Sequence, residues 1–268
     1  MYEPRFNTRG KGVPILKDAD IDFHAEAFLK EYNPRLLTEP QPVDIEDFAG
    51  YYLGLETDYT HLSHCGLILG RMVFNDTNKI PVFVPEEGKA DYISSKKGTI
   101  IIDNSLLEES NEYRLRSTMG HECGHWIFHP GYYMEDCNQM NFFNTVELTA
   151  TACRKVDIEG DVSARRILSS DHDWLEHHAK YFSAAILMPK TAFVQAASNQ
   201  KVRQEIHVYC DGFCEDECLA NHLSNIFQVS VASAKIRLKQ LGVSMDVEYA
   251  KSKQAQRMIC YDQLMGAL

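Results

Sequence analysis

The N-terminal part of the chain changes from a helical to a strand-like pattern of apolar positions. Apolar side chains recur at helical spacing in Asp20–Glu31 and Val43–Leu53, which predicts two amphipathic helices. The next segments are rich in β-branched and aromatic residues and are separated by Asp, Asn, Gly or Pro. They are Leu53–Tyr59, Gly66–Phe74, Ile80–Val84 and Thr99–Asp103. This pattern predicts a small antiparallel or mixed sheet.

Two longer helical patterns follow the predicted strands. One covers residues 111–129 and is ended by a Pro-Gly pair, and the other covers residues 173–188 and is ended by Pro189. The segment between them has weak periodicity, with a strand predicted over Phe142–Ala152 and a short helix over Gly160–Leu168. We therefore predict an α+β fold in which the small sheet packs against the two helices.

The C-terminal part of the chain has a mostly helical pattern beyond Thr191. We expect a domain of residues 1–190 followed by a helical extension of residues 191–268. Within the extension, residues 219–241 resemble a helix-turn-helix.

This segment is locally basic through Lys235, Arg237 and Lys239, which would allow it to bind DNA. Three basic residues are a weak electrostatic footprint, so we favour the alternative of a helix pair that packs on the rest of the protein.

The overall charge argues against nucleic acid or a membrane surface as the main partner. The 268 residues include 27 basic and 38 acidic side chains, a net charge of −11, which repels phosphates and anionic lipid. The sequence has no apolar run near the ~20 residues that a spanning helix needs. Residues 1–13 lack the apolar stretch of a secretory signal, so we expect a cytoplasmic protein. Its eight cysteines are then expected to be reduced thiols or metal ligands.

A metal-binding motif lies in the first of the two long helices. The stretch His121-Glu-Cys-Gly-His125 matches H-E-x-x-H. Four residues make slightly more than one helical turn, so both imidazoles project from one face, about 6 Å apart along the axis. This spacing suits one zinc ion, and Glu122 is expected to act as the general base on the attacking water.

A third ligand is expected on the second long helix, because a catalytic zinc takes three protein ligands and keeps one open position. The candidate is Glu176. Ala179 and Ser183 follow it at i+3 and i+7, and small side chains let two helices approach closely. The sequence thus predicts one Zn²⁺ per chain, held by His121, His125 and Glu176.

Three separate stretches of the sequence carry the pattern of a known family. They are residues 116–129 with the H-E-x-x-H motif, residues 176–189 with Glu176, and the strand-plus-aspartate segment Gly98–Asp103. In these stretches the chain resembles the ImmA/IrrE zinc metallopeptidases, and the resemblance spans roughly residues 20–189. It implies that Glu176 is the third ligand. It also implies a narrow protein substrate, typically a helix-turn-helix repressor of a mobile element or a stress response.

The sequence departs from this family at Lys180, where asparagine is usual. The usual amide is suited to hydrogen-bond a metal ligand, so a cation at this position either weakens metal binding or extends to solvent. His129 is about 12 Å from His121 along the helix, too far to share the metal. We expect His129 to support a ligand or to cap the helix end, and His172, four residues before Glu176, is a further candidate for lining the site.

A second metal site is a weaker hypothesis for the C-terminal cysteines. Cys210, Cys214 and Cys218 are spaced by four, and His222 continues the series. On an unbroken helix this span is about 18 Å, so one ion cannot bind all four. A break in the helix would permit a small zinc or iron–sulfur site, with help from Cys137 or Cys153. Free thiols are the default interpretation.

The leading hypothesis for function is a zinc-dependent endopeptidase that cleaves a specific protein. Two alternatives remain open from the sequence. One is a DNA-binding regulator whose zinc site is a sensor or a vestige, and the other is a protein that binds a repressor without cutting it.

Overall fold

The structure is a computed structural model that describes residues 1–134, 150–155, 168–209 and 215–245. The helix predicted over Gly160–Leu168 lies almost entirely outside these residues, as does the strand predicted over Phe142–Ala152 except for its last three positions. There, Ala150 forms an isolated antiparallel bridge with Val73.

The helices of the described residues agree closely with the predicted long patterns. Short 3-10 turns, Asn104–Leu107 and Glu109–Asn111, precede the H-E-x-x-H helix. In chain order the α-helices are α1 (Asp18–Tyr32), α2 (Arg35–Thr38), α3 (Ile45–Asp47), α4 (Glu112–Phe128), α5 (Pro130–Tyr133), α6 (Asp171–Leu187), α7 (Lys190–Ala197), α8 (Gln200–Tyr209), α9 (Glu215–Phe227) and α10 (Val231–Leu241). The helix predicted over Val43–Leu53 is a single α turn that continues as the π-helical turn Phe48–Tyr52.

The strands form a small mixed sheet and two hairpins. They are β1 (Thr8–Arg9), β2 (Val13–Pro14), β3 (Glu56–Thr60), β4 (Ile68–Met72), β5 (Thr77–Val84), β6 (Lys89–Ser95), β7 (Thr99–Asp103) and β8 (Cys153–Arg154). The main sheet has the order β3-β7-β4-β8, while β1–β2 and β5–β6 pair separately. Strand β7 is antiparallel to β4 but parallel to β3, so the sheet is mixed.

The main sheet packs against α4, and α4 packs against α6, which confirms the predicted α+β fold. Strand β7 is buried along its whole length. Where α4 crosses α6, a Cβ atom at Gly124 would lie 3.0 Å from the Cα atom of Ala179, and one at Gly120 would lie 2.9 Å from the Ser183 Oγ atom. The two helices therefore approach through small residues, as Ala179 and Ser183 predicted.

The C-terminal helices share the core of the rest of the protein. Leu219, Leu223 and Phe227 from α9, and Leu238 from α10, belong to the same buried apolar cluster as residues of α1, α4 and α6. The helix-turn-helix-like pair thus packs on the other helices. Among the described residues, no helix combines the length and the apolar character needed to cross a bilayer.

Candidate metal centre

Two imidazoles from α4 lie next to each other in the site. His121 and His125 are fully buried, and their Nε2 atoms lie 3.0 Å apart. Their ring planes are inclined at 71°, with centroids 4.7 Å apart. Because the two residues are four apart on one helix, both Nε2 atoms are directed to the same place.

The carboxylate of Glu176 reaches this point from α6. Its Oε2 atom lies 3.3 Å from His121 Nε2, and its Oε1 atom lies 3.4 Å from His125 Nε2. Helix α6 begins with a capping box between Ser170 and Asp173, which fixes the helix start shortly before Glu176. Glu176 is only 6% exposed, so its charge is removed from water.

These distances fit the coordination of a divalent metal. A tetrahedral ion with ligand bonds of about 2.0–2.1 Å has ligand–ligand edges of about 3.3–3.4 Å. The observed separations of 3.0, 3.3 and 3.4 Å are close to that edge length. Moreover, neither oxygen of Glu176 has a well-formed hydrogen bond from any described residue. A buried carboxylate without donors is costly, and a cation between it and the imidazoles would remove that cost.

The electrostatics of the cluster also favour a positive charge. Burial alone would raise the pKa of the Glu176 carboxyl, but the adjacent His125 and His121 hold that pKa well below its usual range. Burial alone would lower the pKa of His121, but the Cys153 sulfur and the Glu176 carboxylate raise it well above its ordinary value. The negative charge of Glu176 therefore favours a cation beside the two imidazoles.

Glu122 lies beside this cluster, and only one of its two carboxylate oxygens is hydrogen-bonded to a described residue. Its Oε2 atom accepts a hydrogen bond from the Thr151 hydroxyl at 2.7 Å, and its buried Oε1 atom has no partner among the described residues. Burial raises the pKa of the Glu122 carboxyl above its ordinary value. A carboxylate with a raised pKa and a free oxygen is suited to accept a proton.

Thr151 is a site residue that the sequence did not reveal. Its hydroxyl accepts a hydrogen bond from the Met72 amide at 2.7 Å, and its carbonyl accepts one from Arg71 Nη1 at 3.1 Å. Pairing with β4 thus fixes Thr151 beside Glu122. The only local signal was Gly70 inside a strand, which often marks a close approach. A Cβ atom there would lie 3.0 Å from Glu122 Oε1.

Cys153 is a second residue whose place the sequence did not reveal. It is fully buried on β8, and its sulfur lies within 4.8 Å of ligand atoms of His121 and Glu122. Burial raises the pKa of the Cys153 thiol to about 11. The sequence offers Cys153 as a helper for the C-terminal cysteines, whereas the structure places it beside His121 and Glu122.

His129 contacts the ring nitrogen of His125 that does not face Glu176. Its Nδ1 atom lies 2.8 Å from His125 Nδ1, while His125 Nε2 faces Glu176. His129 is fully buried, and burial lowers its pKa well below the ordinary value, so the ring is neutral. A neutral His129 can accept the Nδ1–H of His125 and orient that ring.

The other two candidates on α6 are His172 and Lys180. The His172 side chain is 60% exposed, and its Nδ1 atom lies 3.9 Å from Glu176 Oε1. Lys180 is half-buried one helical turn after Glu176.

Only one of the three cysteines of the hypothetical second metal site lies within the described residues. Cys210 and Cys214, together with Cys137, lie outside the described residues. Cys218 is a half-buried free thiol on α9, and His222 is half-buried one turn further on.

The basic residues of the helix-turn-helix-like segment are only partly available to DNA. Arg237 is fully buried and pairs with Asp22, with Arg237 Nη2 2.6 Å from Asp22 Oδ1. Lys235 forms an ion pair with Glu217, whereas Lys239 is exposed. The electrostatic footprint on which DNA binding would depend is therefore smaller than the sequence suggested.

No model of a known protein family matches the chain, and no curated protein matches it.

Proposed function

We propose that the protein is a zinc-dependent endopeptidase, with His121, His125 and Glu176 as metal ligands and Glu122 as the general base. The observation that carries this proposal is the convergence of three buried side chains, with neighbouring ligand atoms 3.0–3.4 Å apart, beside a carboxylate with a free oxygen. Two imidazoles and one carboxylate are a ligand set typical of catalytic zinc.

The residues of the chain have separate tasks in this reaction. Zinc, when bound, supplies Lewis-acid polarisation of the substrate carbonyl and makes a water molecule more acidic. The Thr151 hydroxyl donates a hydrogen bond to the Oε2 atom of Glu122. The Oε1 atom of Glu122 is then left to take a proton from the attacking water. The same oxygen can then pass the proton to the leaving amine nitrogen, so that one carboxylate serves both halves of peptide hydrolysis.

The substrate class follows from the family resemblance of residues 98–103, 116–129 and 176–189. We propose a specific protein substrate, in particular a helix-turn-helix repressor of a mobile element or stress response. A restricted substrate also suits the burial of all four polar side chains of the site, since an extended peptide must enter a largely enclosed centre.

The direct test compares the wild type with Glu122→Gln. Each is co-expressed with repressors encoded beside its gene, and the products are examined by mass spectrometry. Glu122→Gln should keep its zinc, since the ligands are unchanged, while cleavage falls by about 10²–10⁴-fold through loss of the general base. Equal cleavage by both proteins would assign the base elsewhere. If the wild type binds a repressor but never cuts it, the protein is a binding partner and not a peptidase.

A further inference from the structure

A groove of about 590 Å³ lies between the main sheet and the open end of the β5–β6 hairpin. On β7, Ile100 and Ile102 belong to the core that includes α4, whereas Ile101 belongs to the apolar cluster under the hairpin. Thr99 lines the groove and shares a face of the strand with Ile101. The groove therefore lies on the face of the sheet opposite the metal centre. Its volume is in the range of a binding site for a small molecule or a peptide segment.

The charge of this groove is mainly negative. Three carboxylates and one ammonium group line it, from Glu56, Asp58, Asp76 and Lys96. Glu56 and Asp58 are two residues apart on β3, so both side chains point to the same face of the sheet. Among the described residues, three donor side chains are close enough to share one metal ion only at the metal centre. The groove is therefore suited to a cation larger than a metal ion.

A buried hydroxyl in the wall of the groove lacks a partner. Ser95 lines the groove and is only 8% exposed, and its Oγ atom has no hydrogen bond with a described residue. Ser95 follows Ile93 by two positions on β6, and Ile93 packs against the apolar cluster between the hairpin and the sheet. The Ser95 side chain therefore also points toward the sheet, into the groove. An unpaired buried hydroxyl is costly, and a donor from a ligand would remove that cost.

We propose that this groove is a docking site for a basic segment of the protein substrate. This inference rests on the endopeptidase function proposed above. Lysine or arginine side chains of the segment pair with Glu56, Asp58 and Asp76, and one of its N–H groups donates to Ser95 Oγ. A repressor fits this chemistry, because the surface that binds DNA phosphates is basic. The net charge of −11 also attracts a basic partner and disfavours a second copy of the same chain.

Docking on the far face of the sheet narrows the choice of substrate. A substrate must then carry two separate features, a basic segment for the groove and a scissile segment for the metal centre, with enough chain between them. Binding of the first segment raises the effective concentration of the second at the metal centre. A protein without the basic segment should therefore be cleaved with a higher KM and a similar kcat.

Peptide binding tests the groove without relying on hydrolysis. The probe is a fluorescein-labelled hexalysine peptide, and its anisotropy is measured with the full-length protein at low salt. Glu56→Gln/Asp58→Asn should bind the peptide about tenfold more weakly, through the loss of two exposed ion pairs. The matched control is Glu108→Gln/Glu109→Gln. It removes the same charge at exposed positions beyond the end of β7 and should keep the wild-type affinity.

Ser95→Ala separates a ligand contact from a structural role. Loss of an unpaired buried hydroxyl should leave the free energy of unfolding unchanged or raise it, while peptide binding weakens by about threefold to tenfold.

Three results would overturn the docking site. The two double variants could weaken binding equally, equimolar Ca²⁺ could displace the peptide, or the wild type could form a dimer that Glu56→Gln/Asp58→Asn loses. None of them would affect the peptidase proposal. A peptide that binds in the groove of a protein that cuts no repressor would instead reject the endopeptidase function, and with it the assignment of the occupant as a substrate.

Discussion

Two buried polar clusters share helix α6 but differ in how completely their groups are satisfied. At the metal centre, neither oxygen of Glu176 has a well-formed hydrogen bond from a described residue. In the second cluster, both oxygens of Asp22 accept: Oδ1 from Arg237 at 2.6 Å and Oδ2 from the Tyr181 hydroxyl at 3.0 Å. Arg237 also donates to the Met188 carbonyl at 3.2 Å.

The difference separates a ligand site from a structural contact. Burying a carboxylate is costly unless donors or a cation compensate for the lost water. Asp22 receives its compensation from the protein, whereas Glu176 receives only two imidazoles that also require a partner. The Asp22–Tyr181–Arg237 network therefore stabilises the fold by joining α1, α6 and α10, whereas the Glu176 cluster has the unsatisfied groups of a candidate metal site.

Removing Glu176 should break the metal centre and leave the fold intact. In Glu176→Ala we expect zinc affinity to fall by about 10²–10³-fold. Zinc binding of about 10–16 kcal/mol in four-ligand sites corresponds to about 2.5–4 kcal/mol per ligand. A zinc-buffered titration measures the change, and Glu176→Gln should be nearly as weak because a neutral amide is a poor ligand for a dication.

The matched control for this variant is His172→Ala on the same helix. His172 is exposed and lies 3.9 Å from Glu176, so its loss should leave zinc affinity near that of the wild type. If His172→Ala lost the metal while Glu176→Ala kept it, the third ligand would be misplaced by one helical turn.

Removing Arg237 should have the opposite effect to removing Glu176. The protein should lose much of its stability, while the three proposed metal ligands remain in place. Arg237→Ala leaves the Asp22 carboxylate buried and uncompensated, and breaking such a pair costs about 3–5 kcal/mol. Denaturant unfolding of the metal-free protein measures this loss. Lys239→Ala, at an exposed position of the same helix, should change stability by less than about 0.5 kcal/mol. Equal stability of the two variants would mean that the network does not hold α10 in place.

His129 is an intermediate case between a metal ligand and a purely structural residue, because it is buried beside the proposed ligands without being one of them. Its imidazole orients His125 through a 2.8 Å contact between Nδ1 atoms. We expect His129→Ala to bind zinc about 10- to 100-fold more weakly, the range for residues that support a ligand. A loss as large as that of Glu176→Ala would make His129 a ligand, and no loss would make it a packing residue.

The sequence was sufficient for the parts of the site that lie within one helix. His121 and His125 are four residues apart on α4, so local geometry alone brought them together. Glu176 required a meeting of two helices, which Ala179 and Ser183 indicated through their small size. Family resemblance strengthened the same conclusion.

The residues contributed by pairing between distant segments were not predictable in this way. Thr151 and Cys153 reach the centre only because residues 151–154 pair with β4, about 80 positions earlier in the chain. The sequence makes Arg237 a candidate DNA contact, since the pattern of α10 does not show which face meets α1 and α6. The strand Lys89–Ser95 was missed because its side chains are mostly exposed and polar.

Tyr181 offers the smallest and sharpest test, because it shares α6 with Glu176 but serves the other cluster. Five residues along a helix rotate the side chain by about 140°, so the Tyr181 hydroxyl points away from the metal and toward Asp22. Tyr181→Phe removes one donor from Asp22 but keeps the ring that lies 5.5 Å from the Arg237 guanidinium. Arg237 still neutralises the carboxylate, so we expect a loss of about 1.5 kcal/mol, the low end for a hydrogen bond to a charged group. Denaturant unfolding should show this loss, while the zinc-buffered titration should give the wild-type affinity. A Tyr181→Phe protein with wild-type stability and weakened zinc binding would show that the two clusters act as one unit, and the distinction between them would be wrong.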